Sequence, residues 1–279
     1  MRVTLSRADR IKAASDYIRV QLQGKLPKIG MILGSGLGDL AEQVEDAIAI
    51  PYAAVPFMPA STVAGHAGRF VCGEWEGHTV LMMQGRVHYY EGYAMSDLVL
   101  PVYVMKSLGI EQLIVSNAAG GMNPLFQPGD VMMLSDHINW TGDHPLIGAH
   151  EAELGLRFPD MSQAYDADLR ELARQAAREV TNFRLQEGVY CAISGPAYLT
   201  PGELRLLARV GGDAVGMSTV AEVIAARHAG LRVFGFSCIT DMALADELEP
   251  LSHEQVLAVA SRTKPLMIEW LRRVLQLFV

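Results

Sequence analysis

The sequence predicts an α/β fold, with a central sheet covered by helices on both sides. Three observations carry this reading. Short apolar runs of strand length recur along the 279 residues, segments with helical period separate them, and the runs end in Gly, Ser, Asn, His and Asp. In such sheets ligands sit beyond the strand ends. No linker, repeat or low-complexity segment interrupts the chain, so residues 1–279 read as a single domain.

The elements follow in order. Ser6 can cap an amphipathic helix in which Ile11, Ala14, Tyr17, Ile18 and Leu22 recur at helical spacing. Ile29–Leu33 is a strand that ends in Gly34-Ser35-Gly36-Leu37-Gly38, ahead of an expected helix. Residues 79–83 form a strand leading to Gln84-Gly85-Arg86, and residues 113–116 a strand leading to Asn117-Ala118-Ala119-Gly120-Gly121. Residues 131–134 end at Asp136-His137, 189–193 at Ser194-Gly195-Pro196, 213–216 at Met217-Ser218-Thr219, and 231–239 at Thr240-Asp241. Helical period marks 167–180, 219–229 and 253–277. Residues 141–161, rich in Gly and Pro, read as a long loop of the functional or mobile kind.

Composition narrows the partners. Hydrophobic residues make up 50% and charged residues 19%, as in ordinary globular proteins. A net charge of −8 argues against nucleic-acid binding and leaves room for a small anion. Cys72, Cys191 and Cys238 are widely spaced, with no metal-ligand pattern, so buried thiols in a reducing cytoplasm are expected and no metal site is. Arg2, Arg7, Asp9 and Arg10 break any signal-peptide pattern, and no apolar stretch reaches the roughly 20 residues of a membrane span.

Several strand ends carry residues suited to an anion and a planar ligand. Gly34–Gly38 offers backbone N–H groups to a phosphate, although it lacks the Gly-Lys-Ser/Thr of a P-loop, and a plain turn explains it as well. Gln84–Tyr93 is the stronger block. Arg86 brings a planar fork of donors, and His88, two residues on in extended chain, projects to the same side. Asn117–Gly121 lets a ligand approach the backbone closely, or is a tight turn. Ser218 or Thr219 serves a ligand or caps the next helix. Asp241 ends the most apolar strand, where a carboxylate is costly unless solvated, paired or used. Ser252 can cap the last helix, which His253 begins.

Together with Gly65-His66-Ala67-Gly68-Arg69, Asp136-His137-Ile138-Asn139 and Gly216–Arg227, these blocks resemble the trimeric purine nucleoside phosphorylases, in order from about residue 30 to 260. The resemblance implies that family's fold, a mixed sheet flanked by helices. It also implies phosphorolysis of purine nucleosides without metal or organic cofactor, phosphate being a co-substrate. The implied phosphate site is Ser35, Arg86, His88, Ser218 and the backbone N–H of Ala118, with His66 nearby. Tyr90 and Met217 would border the ribose, Tyr198 would cover the base, and Val215 and Thr240 would complete the nucleoside pocket. Phe158 matches a residue that reaches a neighbouring subunit's site, which implies a homotrimer.

Two departures stand out. Leu199 replaces the Glu, and Asp241 the Asn, of the 6-oxopurine enzymes in the family. A Glu accepts from the N1–H of hypoxanthine or guanine, whereas Leu199 asks nothing of the bare N1 of adenine. An Asp carboxylate accepts from a 6-amino group and repels O6. Both departures point towards 6-aminopurines such as adenosine. His253 stands where methylthioadenosine phosphorylases carry a small apolar residue, which favours an ordinary nucleoside with a free 5′-hydroxyl. A 6-oxopurine phosphorylase, a methylthioadenosine phosphorylase and a non-catalytic nucleoside-binding protein are the competing readings. Asp241 and His88 are the expected catalytic residues, Asp241 as the donor to N7.

Overall fold

The computed structural model describes residues 5–63, 66–250 and 252–278; Gly65 of the Gly65–Arg69 motif and Arg2 lie outside them. Helix α1 (Arg7–Gln21) starts where the sequence signals it. Ser6 Oγ accepts from the Asp9 amide while the Asp9 carboxylate accepts from the Ser6 amide, and Ile11, Ala14 and Ile18 face inward.

Among the described residues nine strands form one mixed sheet: β1 (Ile29–Leu33), β2 (Glu45–Pro51), β3 (Arg69–Trp75), β4 (His78–Gln84), β5 (Gln112–Gly121), β6 (Val131–Asn139), β7 (Leu185–Ala192), β8 (Ala214–Gly216) and β9 (Arg232–Met242). Helices α2 (Met95–Leu98), α3 (Leu100–Ser107), α4 (Ala167–Ala177), α5 (Pro201–Arg209), α6 (Val220–His228) and α7 (His253–Gln276) complete the fold. Large buried clusters lie against the sheet. One is built with α1, α3 and α6, and the other with α4 and α7 around Trp270. Trp270 is fully buried, and its indole N–H donates to the Ala173 carbonyl at 2.8 Å.

The sheet closes on itself at one end. β5 pairs with β9, β9 with β6, β6 with β7, β7 with β8, and β8 returns to β5. β1 and β8 share one edge of β5 in succession: β1 pairs with Gln112–Val115, and β8 pairs only with Gly120 and Gly121. Between them the β5 edge from Ser116 to Ala119 has no strand beside it, and a crevice opens there.

Several expectations need correction. The glycine-rich block Asn117–Gly121 is not a tight turn but the second half of β5. Gly34–Gly38 leads into a short 3-10 turn (Gly38–Gln43) rather than an α-helix, so no α-helix dipole backs Ser35. β6 and β9 run on through Asp136-His137 and Thr240-Asp241, residues expected beyond the strand ends. β2 is a largely exposed edge strand whose short apolar run, residues 47–50, follows Glu45-Asp46 and escaped notice. β3 and β4 form a hairpin whose turn, Glu76-Gly77, has positive φ at both residues, the geometry such tight hairpins favour. α5 also escaped notice, although Thr200-Pro201-Gly202-Glu203 carries a capping box with Pro at the first turn.

Gly34 is required by close approach: a Cβ there would lie 2.5 Å from the Ser116 carbonyl oxygen and 2.8 Å from the Asn117 Cα. These are backbone atoms of β5 and have little room to yield. Gly34→Ala is therefore expected to lower stability by about 1–3 kcal/mol, read as a lower urea midpoint at unchanged m-value.

Candidate active site

A cleft of about 1150 Å³ opens over the unpaired stretch of β5. Arg86, His88 and Tyr90 enter it from the loop after β4, Ser35 from the loop after β1, and Ala118 from β5 itself. The junction of β8 and α6 contributes Val215, Met217 and Ser218. Tyr198 and Leu199 come from the β7–α5 connection, Thr240 and Asp241 from β9, and His253 from the first residue of α7. Two expected residues stand apart. His66 grips the Arg86 backbone, its ring 5.3 Å from that of His88, without lining the cleft, and Phe158 is 87% exposed on the 141–161 loop and does not line it either.

Arg86 is 1% exposed, so its charge has to be met inside the protein. Nε donates to Glu222 Oε1 at 3.0 Å, and Nη1 donates to the Ser116 carbonyl at 2.6 Å and to Ser218 Oγ at 3.3 Å. Nη2 is buried without a partner among the described residues. The Arg86 backbone is held too. His66 Nδ1 lies 3.0 Å from its amide nitrogen and 2.7 Å from its carbonyl oxygen, so either tautomer of the ring grips it. Gly85, at φ 97°, turns the chain into this position, and a Cβ there would press on the His66 side chain at 2.6 Å.

Ser116 turns its carbonyl to the open edge of β5. Two residues on, at the strand's period, Ala118 turns its N–H to the same edge. Ser218 precedes a strained residue. Thr219 has φ 74° and ψ −52°, and the Val220 amide donates across it to the Ser218 carbonyl at 2.8 Å, a γ-turn of the strained hand. The Thr219 side chain makes no cap for α6. Its hydroxyl accepts from Asn117 Nδ2 at 2.8 Å and lies 3.1 Å from Ser218 Oγ, so the turn fixes the serine beside Arg86.

His88 stacks on Tyr90, with ring centroids 4.9 Å apart and planes 13° apart. Burial, then the charge of Arg86, then His66 hold its pKa well below the usual imidazole range, so the ring is neutral near pH 7. Glu91 accepts from the His88 amide at 2.7 Å and lies 3.3 Å from Nδ1. Burial alone would raise the Glu91 carboxyl, but hydrogen bonds from Thr62 and His88 outweigh it and keep the group ionised. An ionised carboxylate at Nδ1 favours the proton there and leaves Nε2 as the acceptor of the neutral ring.

At the far side of the cleft, a bulge in β9 sets Asp241. The register runs Ala119 to Ile239, then Gly120 to Asp241, with Thr240 as the extra residue. Thr240 Oγ1 donates to Asp241 Oδ1 at 2.8 Å. Burial raises the Asp241 pKa, and the Thr240 hydrogen bond offsets part of that. Leu199 packs with Val215 and Met217 on the cluster of Met122, Ile193, Leu204 and Ala243, which makes this wall apolar. Burial, then the Asp241 charge, raises the Tyr198 phenol.

Sequence reasoning missed Glu222, Glu91 and Tyr190. Tyr190 OH accepts from the Ser218 amide at 3.4 Å. Only Glu222 left a signal, as a lone carboxylate in the apolar run Val220–Ala226.

Asp241 supplies a pH test. Its raised pKa means the folded protein holds a proton that the unfolded chain, with an ordinary pKa of about 4, gives up. This stabilisation is complete below that value and is lost as pH rises through the folded pKa. Relative to Asp241→Asn, the wild-type protein is therefore expected to lose stability as pH rises from about 4 towards 7. Urea denaturation of both proteins across that range measures it, and a constant difference contradicts it.

Comparisons with known proteins give the family of the chain. The family model described as "Phosphorylase superfamily" matches residues 28–276. Purine nucleoside phosphorylase 1 of Geobacillus stearothermophilus is 54% identical over 266 residues, covering 95% of this chain and 96% of that protein. A Schistosoma purine nucleoside phosphorylase solved in complex with hypoxanthine superposes with a TM-score of 0.93 at 41% identity, covering 99% of this chain and 100% of that one. The Schistosoma mansoni enzyme solved in complex with adenosine gives a TM-score of 0.92 at 41% identity over 99% of both chains. The chain belongs to the phosphorylase superfamily and, within it, to the purine nucleoside phosphorylases.

Proposed function

We propose that this enzyme cleaves purine nucleosides with phosphate, acts as one domain over residues 1–279, and prefers adenosine over inosine. The preference rests chiefly on one observation: Asp241 Oδ2 takes no hydrogen bond from the described residues and borders a cleft whose nearby wall is the apolar Leu199. One Asp241 oxygen accepts from the 6-amino group of adenine while the other, protonated, faces N7, and Leu199 makes no demand on N1. Inosine would bring O6 against the accepting oxygen and leave its N1–H unpaired.

In this reading Ser35, Arg86, Ser218 and the Ala118 N–H donate to phosphate beneath C1′. His88 Nε2 accepts from the protonated oxygen of hydrogen phosphate, and His66 acts from behind by holding Arg86. The glycosidic bond breaks with oxocarbenium character; the anion stabilises the positive carbon and then bonds to it. The base leaves with the bonding pair and takes a proton at N7, for which Asp241, with its raised pKa, is the general acid. Tyr90, Met217 and His253 border the sugar, His253 facing the 5′-hydroxyl. Tyr198 covers the base, and Val215 and Thr240 flank it. Phosphate is the co-substrate, and no metal or organic cofactor takes part.

An unpaired buried polar group costs about 1–3 kcal/mol, which is roughly 5- to 150-fold in kcat/KM. Adenosine is expected to lead inosine by that margin. Asp241→Asn should move the ratio towards inosine, and adding Leu199→Glu should move it further. Comparing kcat/KM for both nucleosides across the four proteins tests this; a wild type that prefers inosine overturns the preference.

The enzyme is also proposed to be a cytoplasmic homotrimer. Among the described residues no helix is long and apolar enough to cross a membrane. Trp140, Ile147, Leu156 and Phe158 are exposed along residues 140–158, apolar surface suited to cover by a second copy. A trimer by sedimentation and a raised nucleoside KM in Phe158→Ala are expected. A fully active monomer contradicts the assembly.

A further inference from the structure

Of the groups around the cleft, the buried carboxylate of Glu222 has no part in the chemistry above. It is 6% exposed in the first turn of α6 and faces the 1%-exposed Arg86. A guanidinium has five N–H bonds. Glu222 takes the one on Nε, and the Ser116 carbonyl and Ser218 Oγ take those on Nη1. The two on Nη2 remain, buried and without partner among the described residues, on a residue that lines the cleft. Ser218 and Glu222 are four residues apart and clamp the guanidinium from one segment that contains the strained Thr219.

We infer that Glu222 is a positioning residue for phosphate: it fixes the Arg86 fork so that only Nη2 meets the anion, and its negative charge holds down the affinity of the site. The inference rests on the reading of Arg86 as the phosphate donor. Its physical basis is a balance of geometry and charge. With the Glu222 carboxylate 3.0 Å from Nε, the pair is close to neutral before phosphate arrives. The anion is then caught by aimed hydrogen bonds rather than by a free buried charge. An excess charge would also hold the product sugar phosphate and slow its release.

Two variants separate these roles. Glu222→Gln keeps the length of the side chain and an oxygen that accepts from Nε, but removes the negative charge. Glu222→Ala removes the charge and the support together. Phosphate KM is expected to fall several-fold in Glu222→Gln, with a lower kcat, because phosphate and sugar phosphate now supply the missing countercharge. It is expected to rise about tenfold or more in Glu222→Ala, where the fork is released. The KM for the nucleoside should stay within about twofold in Glu222→Gln, since the contacts around the base and sugar are untouched. Thermal melts with and without phosphate give a second readout: the gain in Tm from saturating phosphate should be larger in Glu222→Gln than in wild type. Arg86→Ala is the control for the site itself. If it raises phosphate KM sharply and Glu222→Gln leaves it unchanged or raised, the inference fails while the phosphate site stands. If Arg86→Ala leaves phosphate KM unchanged, the assignment of the site fails, and the inference with it.

Discussion

The charge of Arg86 has to be satisfied in the interior, and much of the site is arranged by that constraint. A buried guanidinium is costly unless its donors are paired. Its partners come from distant parts of the chain: Ser116 from β5, Ser218 and Glu222 from either side of the α6 start, and His66 from the loop before β3. These segments meet because β1 and β8 leave the same edge of β5 bare between Val115 and Gly120. The gap in strand pairing is thus both the crevice for the ligand and the source of the carbonyl that holds the arginine. The strained Thr219 belongs to the same arrangement: its hydroxyl lies 3.1 Å from Ser218 Oγ, which accepts from the guanidinium.

The opposite end of the cleft is built by a different device. There the bulge in β9 places Asp241 opposite Gly120, while the hydroxyl of the extra residue, Thr240, bonds to the Asp241 carboxylate. The hydrophobic cluster under Leu199 supports the apolar wall and limits the solvation of the carboxylate. One cleft therefore has a strongly hydrogen-bonding end and a drier end; in the proposed reading the first takes the anion and the second the base. The neutral His88, stacked on Tyr90 and tied to Glu91, stands on the Arg86 side.

Much of this was legible in the sequence, and the part that was not has physical causes. Apolar runs such as Ile29–Leu33 mark strands buried on both faces, and β1 has those bounds, whereas β2 is mostly exposed and its apolar run, residues 47–50, is short. Arg86, His88 and Ser35 stand out because anion donors beside glycines form local patterns, whereas the phosphate role expected of Ser218 comes with the family resemblance. Arg86 and His88 line one cleft, but they do so from a loop beyond β4 rather than through the alternation of an extended strand. Glu222 and Glu91 act through groups they support, and the geometry that makes them matter spans up to 136 residues of sequence. The bulge at Thr240 and the γ-turn at Thr219 depend on tertiary pairing and leave no trace in composition or period. The family resemblance supplied the roles of Tyr198, Val215 and Phe158, which local pattern alone would not have given.

The most direct test is a crystal structure of the enzyme grown with phosphate. The account requires a phosphate oxygen at hydrogen-bond distance from Arg86 Nη2, about 2.7–3.0 Å. Nε should still lie on Glu222, Nη1 on Ser116 and Ser218, and His88 Nε2 should touch the same anion. A phosphate seated elsewhere in the cleft, or a guanidinium that swings away from Glu222 to reach it, would contradict the account.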